Sequence, residues 1–325
     1  MSTNNSTNSS TTTVAFIGLG IMGAPMAGHL IDAGYRVIGY NRSRPAVERL
    51  VAKGARAAGS AAEAVADADV VITMVPDSPD VEAITVGEDG FYAAAKPGLL
   101  HIDCSTIRPD VARQVAEAGA QRGIRVVDAP VSGGEAGAVE GVLSIMVGGE
   151  ETDVSAALPY LNAMGKTIVH VGPAGSGQTV KAANQLIVAG NIALLAEALV
   201  FLEAHGVDTE AATEVLGGGL AGSTVLDRKS QAMLDRRFTP GFRVDLHHKD
   251  LGIMLDAARS SGTIVPLGAL VAQLMAALRA QGDGGLDHGA LRAQGHGGLD
   301  HSALLLLVEQ LSGRNGPTDT TTEEG

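Results

Sequence analysis

The stretch that most constrains the fold is residues 14–33. VAFI at 14–17 is a short apolar run of the kind a buried strand needs. GLGIMG follows directly, with glycines at 18, 20 and 23, and a helical pattern continues from Pro25 to about Ala33. Strand, glycine turn and helix in succession are the context in which GxGxxG cradles a dinucleotide; the alternative is a plain structural turn. Gly18 makes the tight turn, Gly20 lets the backbone approach a pyrophosphate, and Gly23 lets the helix pack on the strand. The free N–H groups at the helix start then face phosphate. A nicotinamide dinucleotide is therefore expected across Gly18, Leu19, Gly20, Ile21, Met22 and Gly23.

The second strand, RVIGY at 36–40, sets the choice of dinucleotide. An NAD-binding unit usually ends this strand with an acid that holds the ribose 2′-hydroxyl. No Asp or Glu occurs between Ala33 and Val47, and the chain offers Asn41, Arg42, Ser43 and Arg44 instead. A guanidinium suits a 2′-phosphate by charge and by its fork of donors. NADP(H) is favoured on that ground and NAD(H) remains possible, because Arg42 also reads as an exposed loop arginine.

Apolar runs at 70–75, 99–104, 125–129, 143–147 and 167–171 read as further strands. Helical patterns at about 44–53, 60–66, 79–86, 108–122 and 151–164 separate most of them. That alternation predicts an α/β, doubly wound, Rossmann-type sheet. Ligands of such sheets lie beyond the carboxyl ends of strands. Met74, Val75 and Pro76 at one strand end, and Ser105 and Thr106 after another, are thus expected at the cofactor. The loop PVSGGEAGAVEG, 130–141, bares its backbone at Gly133 and Gly134 beside the Ser132 hydroxyl. It can hold a carboxylate, or be a tight turn.

From Gly175 to Gly206 the chain has no proline and is rich in Ala and Leu, which predicts one long helix, apolar on most sides and buried all round. Length alone would allow a membrane span. Lys181, Asn184, Gln185, Asn191, Glu197 and Glu203 argue against it, because such groups are costly in lipid. Lys181 and Asn184 are three apart and share a face. A lysine beside a carboxamide can act as general acid toward a carbonyl oxygen; it can also be a solvated lysine at a helix start. Beyond Val207 only helical patterns remain, so an all-α domain rooted on this interdomain helix follows. The expected division is a tail over 1–12, a dinucleotide domain over 13–174, an all-α substrate and oligomerisation domain over 175–312, and a tail over 313–325.

The net charge of -13 disfavours nucleic acid and anionic membrane as partners. The one cysteine, Cys104, rules out an internal disulfide and suits a reducing, cytoplasmic setting. It reads as a buried inert thiol. Histidines at 247, 248, 288, 296 and 301 make a metal conceivable, but with no HExxH or paired-cysteine pattern no functional metal is expected.

Taken together, the chain resembles the β-hydroxyacid dehydrogenase family over about residues 14–312. FIGLGIMGAPMA resembles the family's cofactor signature, although His29 stands where that signature usually has Asn. DAPVSGGEAGAVEG resembles its substrate loop, and GSGQTVKAANQ its catalytic helix start. KDL at 249–251 resembles a further family element. The resemblance implies reversible hydride transfer with Lys181 as general acid and base and Asn184 as orienting residue. It implies Lys249 near the nicotinamide, Ser132, Gly133 and Gly134 on the substrate carboxylate, and Phe242 and Asp245 at the substrate. Residues 217–251 are similar to the members that interconvert tartronate semialdehyde and D-glycerate; members acting on 3-hydroxyisobutyrate are the alternative. A non-catalytic scaffold that keeps the fold would be expected to lose Lys181. The implied partners are a small carboxylate or aldehyde substrate and further copies of the chain, as homodimer or homotetramer.

One feature lies outside the resemblance. ALRAQGDGGLDHG, 277–289, is followed directly by ALRAQGHGGLDHS, 290–302. The unit is too short for a solenoid repeat and reads as an inserted loop copy. A helix from about Val265 should end at Gly282. A glycine-rich excursion with a weak turn at 288–293 should follow, and a last helix should begin near Asp300 as N-cap.

Overall fold

The computed structural model describes residues 12–281 and 296–314. Its contacts divide the chain into two compact units, Met1–Lys181 and Ala182–Gly325. The division falls within the long helix rather than before it.

The first unit carries a single sheet. Its strands are β1 (Thr13–Ile17), β2 (Arg36–Tyr40), β3 (Arg56–Ala57), β4 (Val70–Thr73), β5 (Leu100–Asp103), β6 (Arg125–Asp128), β7 (Val131–Ser132), β8 (Leu143–Gly148) and β9 (Gly165–Gly172). Their spatial order is β3-β2-β1-β4-β5-β6-β8-β7, with β9 paired to β8. Strands β1 to β6 are parallel. The parallel run ends at β8, which is antiparallel to β6 and β7. The connecting helices are α1 (Gly23–Asp32), α2 (Arg44–Val51), α3 (Ala61–Val65), α4 (Ser78–Thr85), α5 (Pro109–Ala120), α6 (Gly134–Glu140) and α7 (Glu151–Asn162). Two apolar clusters flank the sheet. Phe16, Met26, Leu30 and Ile72 lie in one, Ile17, Val71, Phe91 and Val115 in the other. Burial of β1, β4 and β5 on both faces explains why the sequence shows near-continuous apolar runs there and no alternation.

The short strand β3 and two further elements escaped the sequence. The segment expected as the loop 130–141 contains β7 and α6, too short and too rich in glycine to show a period. Thr12, Gly313 and Arg314 were expected in tails. Thr12 instead accepts the Arg36 N–H, and the Arg314 N–H closes α13 on the Glu309 carbonyl.

The helix α8 (Ser176–Ala204) leads into the second unit, which holds α9 (Thr209–Gly217), α10 (Thr224–Leu234), α11 (Val244–Ser261), α12 (Pro266–Ala280) and α13 (Leu304–Leu311). One correction concerns α8, which is not buried all round. Ile187, Leu194 and Phe201 are 63%, 66% and 62% exposed, and Val180 begins the same stripe. A spacing of seven is close to two helical turns, so these four residues share one side. The core of the second unit, with Ala189, Ile192, Ala196 and Leu199, occupies the other. By length and apolarity α8 is the one described helix that could cross a membrane, yet its buried side belongs to this core.

The duplicated segment is described only at its two ends. α12 closes with Gln281 as C-cap. From His296 the chain makes two short 3₁₀ turns; Asp300 caps the second by accepting the Ser302 N–H, and α13 follows. Gly282, His288 and the turn expected at 288–293 lie outside the described residues.

Candidate active site

In the first unit the glycine turn is held by geometry that only glycine meets. Gly18 has φ +98°, and a Cβ there would fall 2.2 Å from the Met74 carbonyl oxygen. A Cβ on Gly20 would meet nothing within 4 Å, so this part of the turn is open to a ligand. The backbone thus fits a pyrophosphate cradle at the start of α1. Asn41 buttresses it: the Leu19 N–H donates to Asn41 Oδ1 at 3.0 Å, and Asn41 Nδ2 donates to the Ser43 carbonyl. The Arg42 side chain is 80% exposed and 3.6 Å from Asp80, a surface pair weak enough to leave the guanidinium for a ligand.

The strand-end loops around Val75 and Thr106 are wired together. The Val75 N–H donates to Ser105 Oγ at 3.0 Å, and the Ser105 N–H to Asp103 Oδ1 at 3.1 Å. Thr73 Oγ1 gives its hydrogen to Asp103, 2.7 Å away. His101 Nε2 must therefore donate to Thr73, and Tyr92 donates to His101 Nδ1. Burial holds the His101 pKa down at about 3, consistent with the neutral ring this wiring requires. Gln178 then ties these loops to α8. Its Nε2 donates to the Ser105 carbonyl at 2.8 Å, and its Oε1 accepts the Ile107 N–H at 3.0 Å, bracketing Thr106. Met74 and Val75 are half-buried and Pro76 exposed, at the open end of β4. Burial pushes the Cys104 thiol up, which leaves it inert.

The loop after β6 lies against the first turns of α8. Asp128 accepts the Gly175 N–H at 2.7 Å and the Gln178 N–H at 3.0 Å, capping the helix. Lys181, one turn on and 6% exposed, donates from Nζ to the Val131 carbonyl at 2.8 Å. That carbonyl immediately precedes Ser132, Gly133 and Gly134, and Gly133 takes φ +138°, a conformation closed to other residues. His29 Nε2 donates to the Ala138 and Val139 carbonyls, each at 3.0 Å, and so fastens α1 to the end of α6.

In the second unit Asn184 Nδ2 donates to Gln185 Oε1 at 2.8 Å, and Gln185 Nε2 donates to Asp250 Oδ2 at 2.5 Å. Lys249 Nζ lies 2.9 Å from Asp250 Oδ1, as an ion pair and not an aligned hydrogen bond. Phe242 packs edge-on against His247 and His301, with ring centroids 5.7 and 5.5 Å away. Asp245 is paired with Arg279 at 2.6 Å, so its charge is already met. His247 donates from Nε2 to the Gln185 carbonyl and lies 2.9 Å from His301, nitrogen to nitrogen.

Asp128, Gln178, Gln185 and Asp250 were not singled out in the sequence as site residues. The available signal was their type: polar side chains inside or directly ending apolar segments, where an unpaired group is costly.

Two family profiles match the chain. One, described as the NAD binding domain of 6-phosphogluconate dehydrogenase, covers residues 13–172. The other, described as the NAD-binding of NADP-dependent 3-hydroxyisobutyrate dehydrogenase, covers residues 175–294. The NAD-dependent L-serine dehydrogenase of Pseudomonas aeruginosa is 41% identical over 276 residues, which is 83% of this chain and 93% of that protein. The 2-hydroxy-3-oxopropionate reductase of Escherichia coli is 40% identical over 277 residues, 85% and 94% of the two chains. Among solved structures, a 3-hydroxyisobutyrate dehydrogenase of Mycobacterium tuberculosis with L-serine superposes with a TM-score of 0.80 at 36% identity, over 92% of this chain and 99% of the other.

Proposed function

Since the chain belongs to the β-hydroxyacid dehydrogenase family, oxidoreductases that work with a nicotinamide cofactor, we propose that it reduces tartronate semialdehyde to D-glycerate, reversibly. The observation that carries this reading is Lys181, a buried lysine whose Nζ is fixed 2.8 Å from the Val131 carbonyl at the edge of the Ser132–Gly134 loop.

The dihydronicotinamide supplies the hydride. Every other requirement falls to the chain. Ser132 Oγ and the N–H groups of Gly133 and Gly134 hold the substrate carboxylate. Lys181 gives a proton from Nζ to the aldehyde oxygen as negative charge develops there, and takes it back in the oxidative direction. Asn184, on the same face of α8, orients the lysine or the substrate. The glycine turn and the loops at Met74–Pro76 and Thr106 bind the dinucleotide. Lys249 serves its nicotinamide end, and Phe242 gives the substrate an apolar wall. Arg42, with no acid at the end of β2, favours NADPH.

A second reading, a short β-hydroxyacid with a different substituent at its α-carbon, is supported by the likeness to L-serine and 3-hydroxyisobutyrate dehydrogenases. NADPH oxidation with tartronate semialdehyde, set beside methylmalonate semialdehyde and L-serine oxidation, decides between them. The expected result is the highest kcat/KM on tartronate semialdehyde; a better value on either rival replaces the substrate. We extend the reading to a cytoplasmic homodimer or homotetramer. The apolar stripe Val180, Ile187, Leu194 and Phe201 supports it, since equal spacing lets the same face of a second copy match it.

A further inference from the structure

A primary amide can present either its oxygen or its N–H₂ to a reacting group, and the two ends have opposite chemistry. Which end Asn184 presents is decided by its neighbours. Asp250, ion-paired with Lys249 on α11, is an anionic group that can only accept. Gln185, 4% exposed, must therefore turn its Nε2 to Asp250, as the 2.5 Å bond records. That leaves Gln185 Oε1 facing Asn184, and an oxygen can only receive a hydrogen. Asn184 donates Nδ2 to it at 2.8 Å. The polarity runs one way along the series, from Asn184 through Gln185 to the carboxylate, and Asn184 Oδ1 stands at the end that takes no part in it.

We propose that Gln185 and Asp250 are positioning residues that fix the amide of Asn184 so that it offers an oxygen acceptor on the face of α8 that carries Lys181. This rests on the reading of Lys181 and Asn184 as the reacting pair. An acceptor there binds the donor side of the reaction, the Lys181 ammonium or a hydroxyl of the substrate. It does not act as a second donor to the aldehyde oxygen. Acid catalysis then rests on Lys181 alone. A reversed amide would present two hydrogens to the ammonium and repel it. Gln185 is buried and Asp250 is an ionised group inside the second unit, an arrangement whose desolvation cost a core of apolar residues would avoid. Fixed amide polarity is what these groups provide in return.

The test uses the full-length enzyme. Gln185→Met keeps chain length and removes both links. It should lower kcat about ten- to a hundredfold, in line with loss of orientation at a reacting centre, and leave the KM for NADPH within about twofold. Asn184→Ala should lower kcat comparably. In the double variant the second substitution should add nothing, because Gln185 acts only through Asn184. A full additional loss in the Asn184→Ala background overturns the proposal, and so does a Gln185→Met enzyme within about twofold of wild type. A second readout is independent of turnover: Asp250→Asn should move the side-chain amide NMR signals of Asn184, two links away. Unmoved signals overturn the relay. A wild-type enzyme inactive on every short semialdehyde would instead defeat the functional reading, with the NMR result still judging the relay.

Discussion

Asp128 accepts the backbone N–H of Gln178 at 3.0 Å, and this bond joins the strand that leads into the substrate loop to the helix that carries Lys181. The same carboxylate takes the Gly175 N–H. Burial pushes the Asp128 carboxyl up, and these two bonds only partly pull it back.

That direction gives a pH dependence. A carboxyl raised above its unfolded value, near 3.9, contributes stability that is complete below that value and is lost as pH rises through the folded one. Asp128→Asn cannot titrate. The melting temperature of the wild type relative to this variant should therefore be most favourable near pH 4 and decline toward neutrality. A difference that stays level or widens with pH contradicts the assignment.

Lys181→Met should reduce turnover by about 10²- to 10⁴-fold, the usual worth of a positioned acid–base group. NADPH binding, read by fluorescence titration, should change little, because the lysine is bonded to the Val131 carbonyl at the edge of the substrate loop. Near wild-type turnover would remove Lys181 from the mechanism.

Arg42→Asp should turn the cofactor preference toward NADH, since it exchanges a cation suited to a 2′-phosphate for an acid suited to a 2′-hydroxyl. The comparison is kcat/KM for NADPH and NADH in both enzymes. A wild type that already prefers NADH sinks the idea before any mutation is made.

Deleting 277–289 should leave kcat and KM within about twofold and stability within about 1–2 kcal/mol. The remaining ALRAQGHGGLDHS repeats the residues that end α12 and restores the run into α13. Gln281 and His296, which flank residues 282–295, are already joined by the His296 N–H on the Gln281 carbonyl at 2.9 Å, and the shortened sequence puts Gln294 in the place of Gln281. Asp300, which binds Lys229 at 2.8 Å and caps the turn before α13, stays in place. Loss of activity, or loss of a metal requirement along with the copy, would give the repeat a function.

Leu194→Glu places a charge at the middle of the exposed stripe on α8. If copies of the chain meet there, the variant should lose assembly, seen as a lower mass by light scattering after size exclusion. An unchanged mass moves the interface elsewhere.

Much of this protein is legible from neighbouring residues alone. The strand–GLGIMG–helix unit, the alternation that follows and the proline-free run into α8 are local patterns, set by burial period and by the φ angles that glycine alone adopts freely. The same holds for the cap at Asp300 and for the placing of Lys181 and Asn184 on one face, since helix pitch fixes a spacing of three. Tertiary structure decided what those groups are bonded to. Asp128 and Gln178 are 50 residues apart, and Gln185 and Asp250 are 65 apart. No propensity or period links them; only closure of the sheet and packing of α11 against α8 bring each pair within reach. Burial then makes the pairing obligatory, because a buried carboxylate or amide without a partner costs more than an ordinary hydrogen bond returns. The exposed side of α8 was hidden for the complementary reason: apolar residues facing a core and apolar residues facing outward look alike in a sequence, and only the packed neighbours tell them apart.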